Sequence, residues 1–238
     1  MAEVVIVFDF DKTLIPFDSD DWVIHEMGLR PLFNSLHSSM LWNSLMDKLM
    51  AEAHAQGKTS NDIADRLKRT PIHLETISAI KSAHQMGCDL KIISDANTFF
   101  IEKILESHNI LCCFSQIFTN PAIVEEDGKL RIFPYEKGSH GCSLCPPNMC
   151  KGLIIDEIRG TSIAMEKKTF IYLGDGKGDF CPSIRLKERD FVMPRKTYPL
   201  SKCIQSNKHL VSATVHEWED AEELNQTLSS LIHKVLCK

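Results

Sequence analysis

The chain has 238 residues, a length that suits one domain or one domain with a smaller insert. Hydrophobic residues make up 43% and charged residues 25%, as in a globular protein with a core, and the formal net charge is -5. Lys and Arg form no basic run, and no apolar run has membrane-spanning length. We therefore expect no nucleic-acid or membrane partner, a cytoplasmic location, and a monomer or homodimer.

Apolar runs that are rich in β-formers alternate with helical patterns along most of the chain. The first predicted strand is Val4–Phe8. Further strands are predicted at Leu90–Ile93, Gln116–Thr119, Thr169–Leu173 and Phe191–Met193. Helices with one apolar face are predicted at Leu74–Met86 and Thr98–His108. This alternation indicates an α/β fold in which a Rossmann-like parallel sheet is covered on both faces.

Two regions interrupt the alternation. Residues 18–70 contain no strand pattern and form a predicted α-helical insert, so that residues 1–17 and 71–238 make up the core. The predicted helices of the insert are Asp20–Met27, Pro31–Gln56 and Ser60–Lys68. The second region, Ile123–Phe133, has EEDG between two short β-like runs and predicts a small hairpin, followed by a loop over 134–150.

Two acidic residues follow the first strand directly. Asp9 and Asp11 are one residue apart, and a period of two puts both carboxylates on one side of an extended chain. Ligands of open α/β sheets bind at the carboxyl ends of the strands. A turn or a helix cap is the ordinary explanation for one such Asp. A turn or a cap is a weaker explanation for two Asp residues that are followed by Thr13 after a buried strand.

Two later strands end in a similar way. Ser94 follows the second strand and can donate to a phosphate oxygen, although Ser-Asp also caps helices. The fourth strand runs into GDGKGD, which contains Asp175 and Asp179 and has the spacing of neither a dinucleotide loop nor a P-loop. If these strands are neighbours, four carboxylates converge. They then require a hard cation, for which Mg²⁺ is suited.

These motifs resemble the four motifs of the haloacid dehalogenase superfamily and occur in the same order. The matching residues are Asp9–Thr13 (DFDKT), Ser94, a downstream Lys and Gly174–Asp179 (GDGKGD). The chain is more closely similar to the phosphoethanolamine/phosphocholine phosphatase (PHOSPHO-type) subfamily and its plant thiamine phosphate phosphatase-like relatives. The segments that carry this closer similarity are DFDKTL, DSDDW, SDAN, CPPNMCKG and GDGKGDFCP. The motifs span the whole chain.

The resemblance implies a Mg²⁺-dependent phosphatase with an aspartyl-phosphate intermediate. Asp9 would attack phosphorus, and Asp11 would protonate the leaving oxygen and then activate water. Mg²⁺ would be bound by Asp9, the backbone carbonyl of Asp11 and Asp175. Asp179 would lie in the same shell or orient a neighbour.

The resemblance also implies residues that hold the phosphoryl oxygens. They are Ser94 and a Lys, which the segment Cys-Lys-Gly identifies as Lys151, with Lys177 as the alternative. An ordinary surface lysine is the other explanation for Lys151. Thr13 and Asn97 are further candidates for contact with the substrate.

Residues 18–70 would then be a cap that recognises the leaving group of a small phosphorylated metabolite. Asp20 and Asp95 would face a cationic head group, although a helix cap explains Asp20 about equally well. Trp22 could add an aromatic face, but packing within the helix is favoured for it. Phosphoethanolamine or phosphocholine ranks first, thiamine monophosphate second, and inorganic pyrophosphate third. Two other classes of function are alternatives to a phosphatase. One is a phosphotransferase, such as a mutase, and the other is a non-catalytic binding protein.

The chain contains nine cysteines. His140, Cys142, Cys145 and Cys150 form H-x-C-x-x-C-x4-C, four ligands that could bind Zn²⁺ tetrahedrally. Free thiols packed beside the active site are the favoured alternative. The other six are predicted to fill apolar space, namely Cys88, Cys112, Cys113, Cys181, Cys203 and Cys237.

Overall fold

The structure is a computed structural model that describes residues 3–160 and 167–237. Eight strands lie in this part of the chain: β1 Val4–Phe8, β2 Asp89–Asn97, β3 Phe114–Asn120, β4 Ala122–Val124, β5 Leu130–Ile132, β6 Thr169–Gly174, β7 Phe191–Pro194 and β8 Thr214–Val215. Six of them form a parallel sheet in the order β3-β2-β1-β6-β7-β8, and β4 and β5 form a separate antiparallel pair. The predicted fold class is confirmed.

Helices cover both faces of the sheet. Their bounds are α1 Ser19–Glu26, α2 Arg30–Leu36, α3 Trp42–Ala55, α4 Ser60–Leu67, α5 Leu74–Gln85, α6 Thr98–Ser107, α7 Lys151–Arg159, α8 Phe180–Ser183, α9 Pro199–Ser206 and α10 Ala221–Leu236. No helix in the described ranges is long and apolar enough to span a membrane.

The side chains of β1 alternate between two hydrophobic clusters, one on each face of the sheet. Ile6 and Phe8 belong to the larger cluster, and Val5 and Val7 belong to the smaller one. All five residues of β1 are buried, as a central parallel strand requires. The strand is therefore a rigid support for the acidic residues that follow it.

The segment predicted as an insert forms four helices, α1 to α4, rather than three. The prediction of one helix over Pro31–Gln56 is wrong, because α2 ends at Leu36 and α3 begins at Trp42. Between them the Ser39 hydroxyl donates to the carbonyl of Leu36. Such local side-chain bonds compete with helix formation. The larger hydrophobic cluster runs through these helices and the sheet without interruption, so the division into a core and a cap remains a prediction.

The hairpin predicted at Ile123–Phe133 is confirmed as β4 and β5. It is fixed to α3 through Asp47, whose two carboxylate oxygens accept from Arg131 Nε and Nη2 at 2.8 and 3.0 Å. The backbone N–H of Ile132 donates to the same carboxylate at 2.9 Å. One side chain thus joins the hairpin to a helix of the predicted insert.

Asp47→Ala should lower the free energy of unfolding by about 1 kcal/mol, because it removes charge-assisted hydrogen bonds that are partly exposed. Asp65→Ala is the matched control, since the Asp65 side chain is 72% exposed and pairs only with Lys68. It should change the unfolding free energy by less than about 0.5 kcal/mol. Urea denaturation measures both. Equal losses in the two variants would contradict the role given to Asp47.

Candidate active site

The three strands that end in polar residues are neighbours in the sheet. Strand β1 pairs with β2 on one side and with β6 on the other. Asp9 follows β1, Ser94 lies in the last part of β2, and Asp175 follows β6. The structure therefore brings these residues to one edge of the sheet, where the carboxyl ends of parallel strands meet.

Three buried carboxylates lie together at this edge. Oxygen atoms of Asp9, Asp175 and Asp179 all lie within 4.8 Å of one another. Their residues are 6%, 5% and 0% exposed. The side chain of Asp11, which was also predicted to contribute to the metal site, is not part of this group. Ligation by its backbone carbonyl remains a prediction.

Lys151 is the cation of this cluster. Its Nζ lies 2.8 Å from an oxygen of Asp9 and 2.8 Å from an oxygen of Asp179. The residue is the first of α7 and only 4% exposed, so it is not an ordinary surface lysine. Burial lowers its pKa, but Asp179 and Asp9 together raise that pKa well above the usual value. Lys177, the alternative, is exposed.

Asp179 holds the cluster together through hydrogen bonds. One of its oxygens accepts from Lys151 Nζ and from the Tyr172 hydroxyl, at 2.8 and 2.7 Å. The other accepts from the backbone N–H groups of Asp175 and Gly176, at 3.1 and 2.9 Å. Both oxygens are thus already in use, which favours orienting its neighbours over direct metal ligation. Tyr172 was missed, because nothing in the sequence distinguishes it from a core residue.

Gly174 makes the approach of Asp179 possible. A Cβ at this position would lie only 2.6 Å from Cγ of the Asp179 carboxyl group. A side chain there would therefore displace the carboxylate. Glycine at position 174 therefore lets the carboxylate of Asp179 lie directly against the backbone.

The carboxylate cluster is electrostatically incomplete. Burial and the charge of Asp179 raise the pKa of Asp9 well above its usual value. Burial and Asp179 also raise the pKa of Asp175 to about 6. The three carboxylates outnumber the ammonium groups near them, which are that of Lys151, in direct contact, and that of Lys12, which acts on Asp175. An oxygen-preferring divalent cation such as Mg²⁺ fits this donor set, because it would neutralise the excess negative charge.

Asp11 lies beside the start of α1. Its two oxygens accept from the backbone N–H and from the hydroxyl of Ser19, at 2.9 and 3.1 Å. Burial, together with the negative charges of Asp18 and Asp20, raises its pKa well above the usual value. The contacts with Ser19 orient the carboxyl group, and the raised pKa favours the protonated form that the predicted general acid requires. Ser19 was not predicted as a site residue.

The remaining predicted contact residues occupy different surroundings. Ser94 is buried, and its hydroxyl accepts from the backbone N–H of Ala96 at 3.2 Å. The Thr13 hydroxyl donates to Asp175 at 3.3 Å, which orients that carboxylate. The side chain of Asn97 caps α6 by accepting from the N–H of Phe100 at 3.0 Å. Contact of Asn97 with a substrate remains a prediction.

Asp20 is a buried acid with an unused acceptor. One of its oxygens accepts from Trp42 Nε1 at 2.6 Å, and the other is buried with no hydrogen-bond partner among the residues that the structure describes. Burial and the charge of Asp18 raise its pKa to about 7. The cap of α1 is Asp18, so the helix-cap explanation of Asp20 is wrong. Trp22 stacks on Phe17, which directly precedes the insert, and packing is thus its role as favoured. Trp42 is the aromatic residue at this acid.

Asp95 is the second acid, and its charge contributes to raising the pKa of Asp20. It accepts from Asn148 Nδ2 at 3.2 Å, and burial raises its own pKa. Trp42 and Asn148, which bind the two acids, both line a cavity of about 780 Å³ between residues 40–44 and the loop 134–148. Cavities of this size hold small organic ligands. Asn148 and Trp42 were both missed.

The sulfur cluster differs from the prediction. The group whose Sγ atoms lie within 4.8 Å of one another comprises Cys142, Cys145, Cys150 and Cys181. Cys181, predicted to be an isolated core residue, replaces His140. The two nitrogens of His140 face the carbonyl of Pro146 and the N–H of Cys142 instead. A hydrogen bond from Cys145 lowers the pKa of Cys181 to about 5.

Solved structures share this fold. The apo form of phosphoserine phosphatase matches with a TM-score of 0.60 at 16% identity, over 96% of this chain and 98% of that one. A phospho-aspartyl intermediate analogue of phosphoserine phosphatase matches with a TM-score of 0.59, also at 16% identity, over 96% of this chain and 98% of that one. The chain therefore has the fold of these phosphatases, with a group of buried acids at one edge of its sheet.

The chain belongs to the family described as Putative Phosphatase, whose sequence profile matches residues 4–232. It is 52% identical to the thiamine phosphate phosphatase-like protein of Arabidopsis thaliana, over 99% of this chain and 98% of that protein. It is 53% identical to inorganic pyrophosphatase 2 of the same plant, over 98% of this chain and 85% of that protein. It is 32% identical to the phosphoethanolamine/phosphocholine phosphatase of Gallus gallus, over 97% of this chain and 89% of that protein. The predicted family resemblance is confirmed.

Lys151→Gln should lower phosphatase kcat/KM at least about 100-fold, because a buried charge that offsets the carboxylates is lost. Lys177→Gln is the matched control and should stay within about twofold of the wild type, since Lys177 is exposed. Steady-state kinetics measures both, with circular dichroism to confirm folding. A folded Lys151→Gln variant with wild-type kcat/KM would contradict the assignment.

Proposed function

We propose that the protein is a Mg²⁺-dependent phosphatase that hydrolyses a small phosphomonoester with a cationic head group through an aspartyl-phosphate at Asp9. The observation that carries the proposal is the buried group of Asp9, Asp175 and Asp179 around Lys151. A second acidic pair, Asp20 and Asp95, is hydrogen-bonded to Trp42 and Asn148, which line the cavity. One group suits the phosphoryl end of a substrate. The other suits a positive leaving group.

Asp9 and Asp175 would hold the metal ion, with the backbone carbonyl of Asp11 as the further predicted ligand. A bound Mg²⁺ supplies positive charge against which a carboxylate and a phosphate dianion can approach each other. Asp179 and Thr13 orient the two carboxylates through the hydrogen bonds described above. Lys151 adds a fixed positive charge beside the nucleophile.

The first step transfers the phosphoryl group to the enzyme. An oxygen of Asp9 forms a bond to phosphorus while the bond from phosphorus to the leaving oxygen breaks. Asp11, whose raised pKa favours its protonated form, gives its proton to that leaving oxygen. The leaving oxygen departs as a hydroxyl group, and the alcohol keeps the positive charge of its head group. Ser94 and Lys151 hold the phosphoryl oxygens during the transfer.

The second step regenerates the enzyme. Asp11, now a carboxylate, accepts a proton from water as the water oxygen attacks phosphorus. The bond from phosphorus to the Asp9 oxygen breaks, and inorganic phosphate is released. Ser19 keeps the Asp11 carboxylate oriented in both of its protonation states, because it has one N–H and one hydroxyl directed at it.

The unpartnered oxygen of Asp20 supports a substrate that brings a hydrogen-bond donor or a positive charge. A buried acceptor without a partner costs free energy, which a bound ammonium or ring nitrogen would recover. Phosphoethanolamine and phosphocholine remain the first candidates. The cavity of about 780 Å³ beside Trp42 also has room for the larger head group of thiamine monophosphate.

Inorganic pyrophosphate is the second candidate function. It is favoured by the names of two plant relatives, inorganic pyrophosphatases 2 and 1, which are 53% and 50% identical to this chain. The acids Asp20 and Asp95 weigh against it, because their ionised forms repel a second phosphate. Measuring phosphate release from each candidate at equal concentration separates the proposals. A kcat/KM for pyrophosphate above those for all cationic esters would reject the cationic substrate.

Asp9→Asn should abolish phosphate release, because the amide cannot act as the nucleophile. Asp11→Asn should retain the nucleophile but lose about 10²–10⁴-fold in kcat, the usual contribution of a general acid and base. The rate of leaving-group release can be measured in a single turnover for an alkyl phosphate and for an aryl phosphate. The Asp11→Asn variant should lose more of this rate with the alkyl phosphate, since an aryl leaving group needs less protonation. Turnover by a folded Asp9→Asn variant would reject the nucleophile.

The preference for a cationic substrate should increase as pH rises through about 7. The pKa of Asp20 is raised to about 7, so its carboxyl group is neutral below that pH and negatively charged above it. Phosphocholine is compared with its carbon isostere, which has tert-butyl in place of trimethylammonium. The kcat/KM for phosphocholine divided by that for the isostere should be about tenfold higher at high pH than at low pH. This is the effect of one charge-assisted contact.

The matched variants for this measurement are Asp20→Asn and Asp21→Asn. Asp20→Asn should remove the pH dependence of the ratio, because the side chain no longer ionises. Asp21 follows directly on the same helix, but its side chain is 59% exposed and pairs with Arg30. Asp21→Asn should therefore keep the wild-type dependence. A ratio that is independent of pH in the wild type, or is altered equally in both variants, would contradict the role of Asp20.

A further inference from the structure

Four cysteines form a compact group beside the catalytic residues. We call this group the thiol cluster, and its members are Cys142, Cys145, Cys150 and Cys181. Two lie in the loop before α7, one directly precedes α7, and one lies in α8. The cluster therefore joins the stretch 142–150, which leads into α7, to α8, a separate segment of the sequence. All nine cysteines of the chain lie among the described residues and are free thiols.

The spacing of the sulfur atoms matches a tetrahedral metal site. Sγ of Cys181 lies 3.7 Å from Sγ of Cys142 and 3.8 Å from Sγ of Cys150. A tetrahedron of four thiolates around Zn²⁺, with Zn–S bonds of about 2.3 Å, has sulfur–sulfur edges of about 3.8 Å. A disulfide needs a sulfur–sulfur distance of about 2.05 Å, so these contacts are not disulfides.

We propose that the thiol cluster binds one structural Zn²⁺ ion. Four protein ligands leave no open position, as in structural zinc sites rather than catalytic ones. Binding releases the remaining thiol protons to solvent. The site is distinct from the proposed Mg²⁺ site, whose ligands are oxygen atoms, and soft sulfur ligands select zinc over magnesium.

The backbone at the start of α7 lies close to the thiol cluster. Gly152 permits this approach, because a Cβ at that position would lie only 2.5 Å from the Cys181 sulfur. The N–H of Gly152 contributes to lowering the pKa of Cys181, which favours the thiolate form that binds a metal.

The proposed zinc site has a mechanical consequence for catalysis. Cys150 immediately precedes Lys151, and Cys181 follows Asp179 by two residues. A metal ion that joins these two cysteines would fix the distance between α7 and α8. It would thereby hold Lys151 at the 2.8 Å contact that it makes with Asp179. Lys151 remains the catalytic residue, and the thiol cluster is a positioning group.

The primary test is the metal content of the full-length wild-type protein, purified under reducing conditions without chelators or added metal. We expect one zinc per chain by plasma mass spectrometry, and X-ray absorption should show four sulfur neighbours at about 2.3 Å. Zinc near zero, another metal at full occupancy, or a shell that includes nitrogen would overturn the proposal. This test needs no variant and no activity measurement.

Three variants then identify the ligands. Cys181→Ser should reduce zinc content by at least about tenfold, the typical minimum effect of disturbing a metal site. His140→Ala and the exposed-residue control Cys112→Ser should keep one zinc per chain. If Cys181→Ser does not fold, the shell seen in the wild type still decides. Loss of zinc in His140→Ala, or full zinc in a folded Cys181→Ser variant, would overturn the assignment.

Discussion

The repulsion among three buried carboxylates is the constraint on which the rest of this structure depends. Asp9, Asp175 and Asp179 lie within 4.8 Å of one another in a place where water cannot screen them. Lys151 offsets only part of their charge. Such an arrangement is costly for folding. In the proposed function its compensation is a divalent cation, which would complete the charge balance of the cluster and would also offset the charge of an incoming phosphate.

The fold holds this unfavourable group in place by rigid means. The first acid follows a fully buried central strand, and the strand next to it, β6, delivers the second. Gly174 gives the carboxylate of Asp179 its space, and Tyr172 donates a hydrogen bond to it from the same strand. Lys151 is the first residue of α7, so the positively charged side chain is also held by regular secondary structure. The loop 134–148, by contrast, is irregular and lines the cavity that we propose for the leaving group.

Sequence patterns predicted the parts of the molecule that depend on local order. The buried strand before Asp9, the hairpin and the acids at strand ends are all visible as runs and spacings. Ser19, Trp42 and Cys181 were not found as site residues, because each acts on a partner at least eight residues away through a contact that only the folded chain creates. Strand β8 has two residues, too few for a pattern. The break between α2 and α3 results from a local side-chain bond that opposes the helical periodicity.

The central claim is that Asp9 accepts the phosphoryl group. The direct measurement is to mix the enzyme with Mg²⁺ and substrate, quench in acid within one turnover, and locate the phosphoryl group by peptide mass spectrometry. The account predicts one acid-stable, base-labile phosphoryl group on the peptide that contains Asp9, fragmenting at that residue. Phosphorylation of another residue would contradict it. So would turnover in which the quenched enzyme carries no phosphoryl group even in the Asp11→Asn variant, where hydrolysis of the intermediate is slowed.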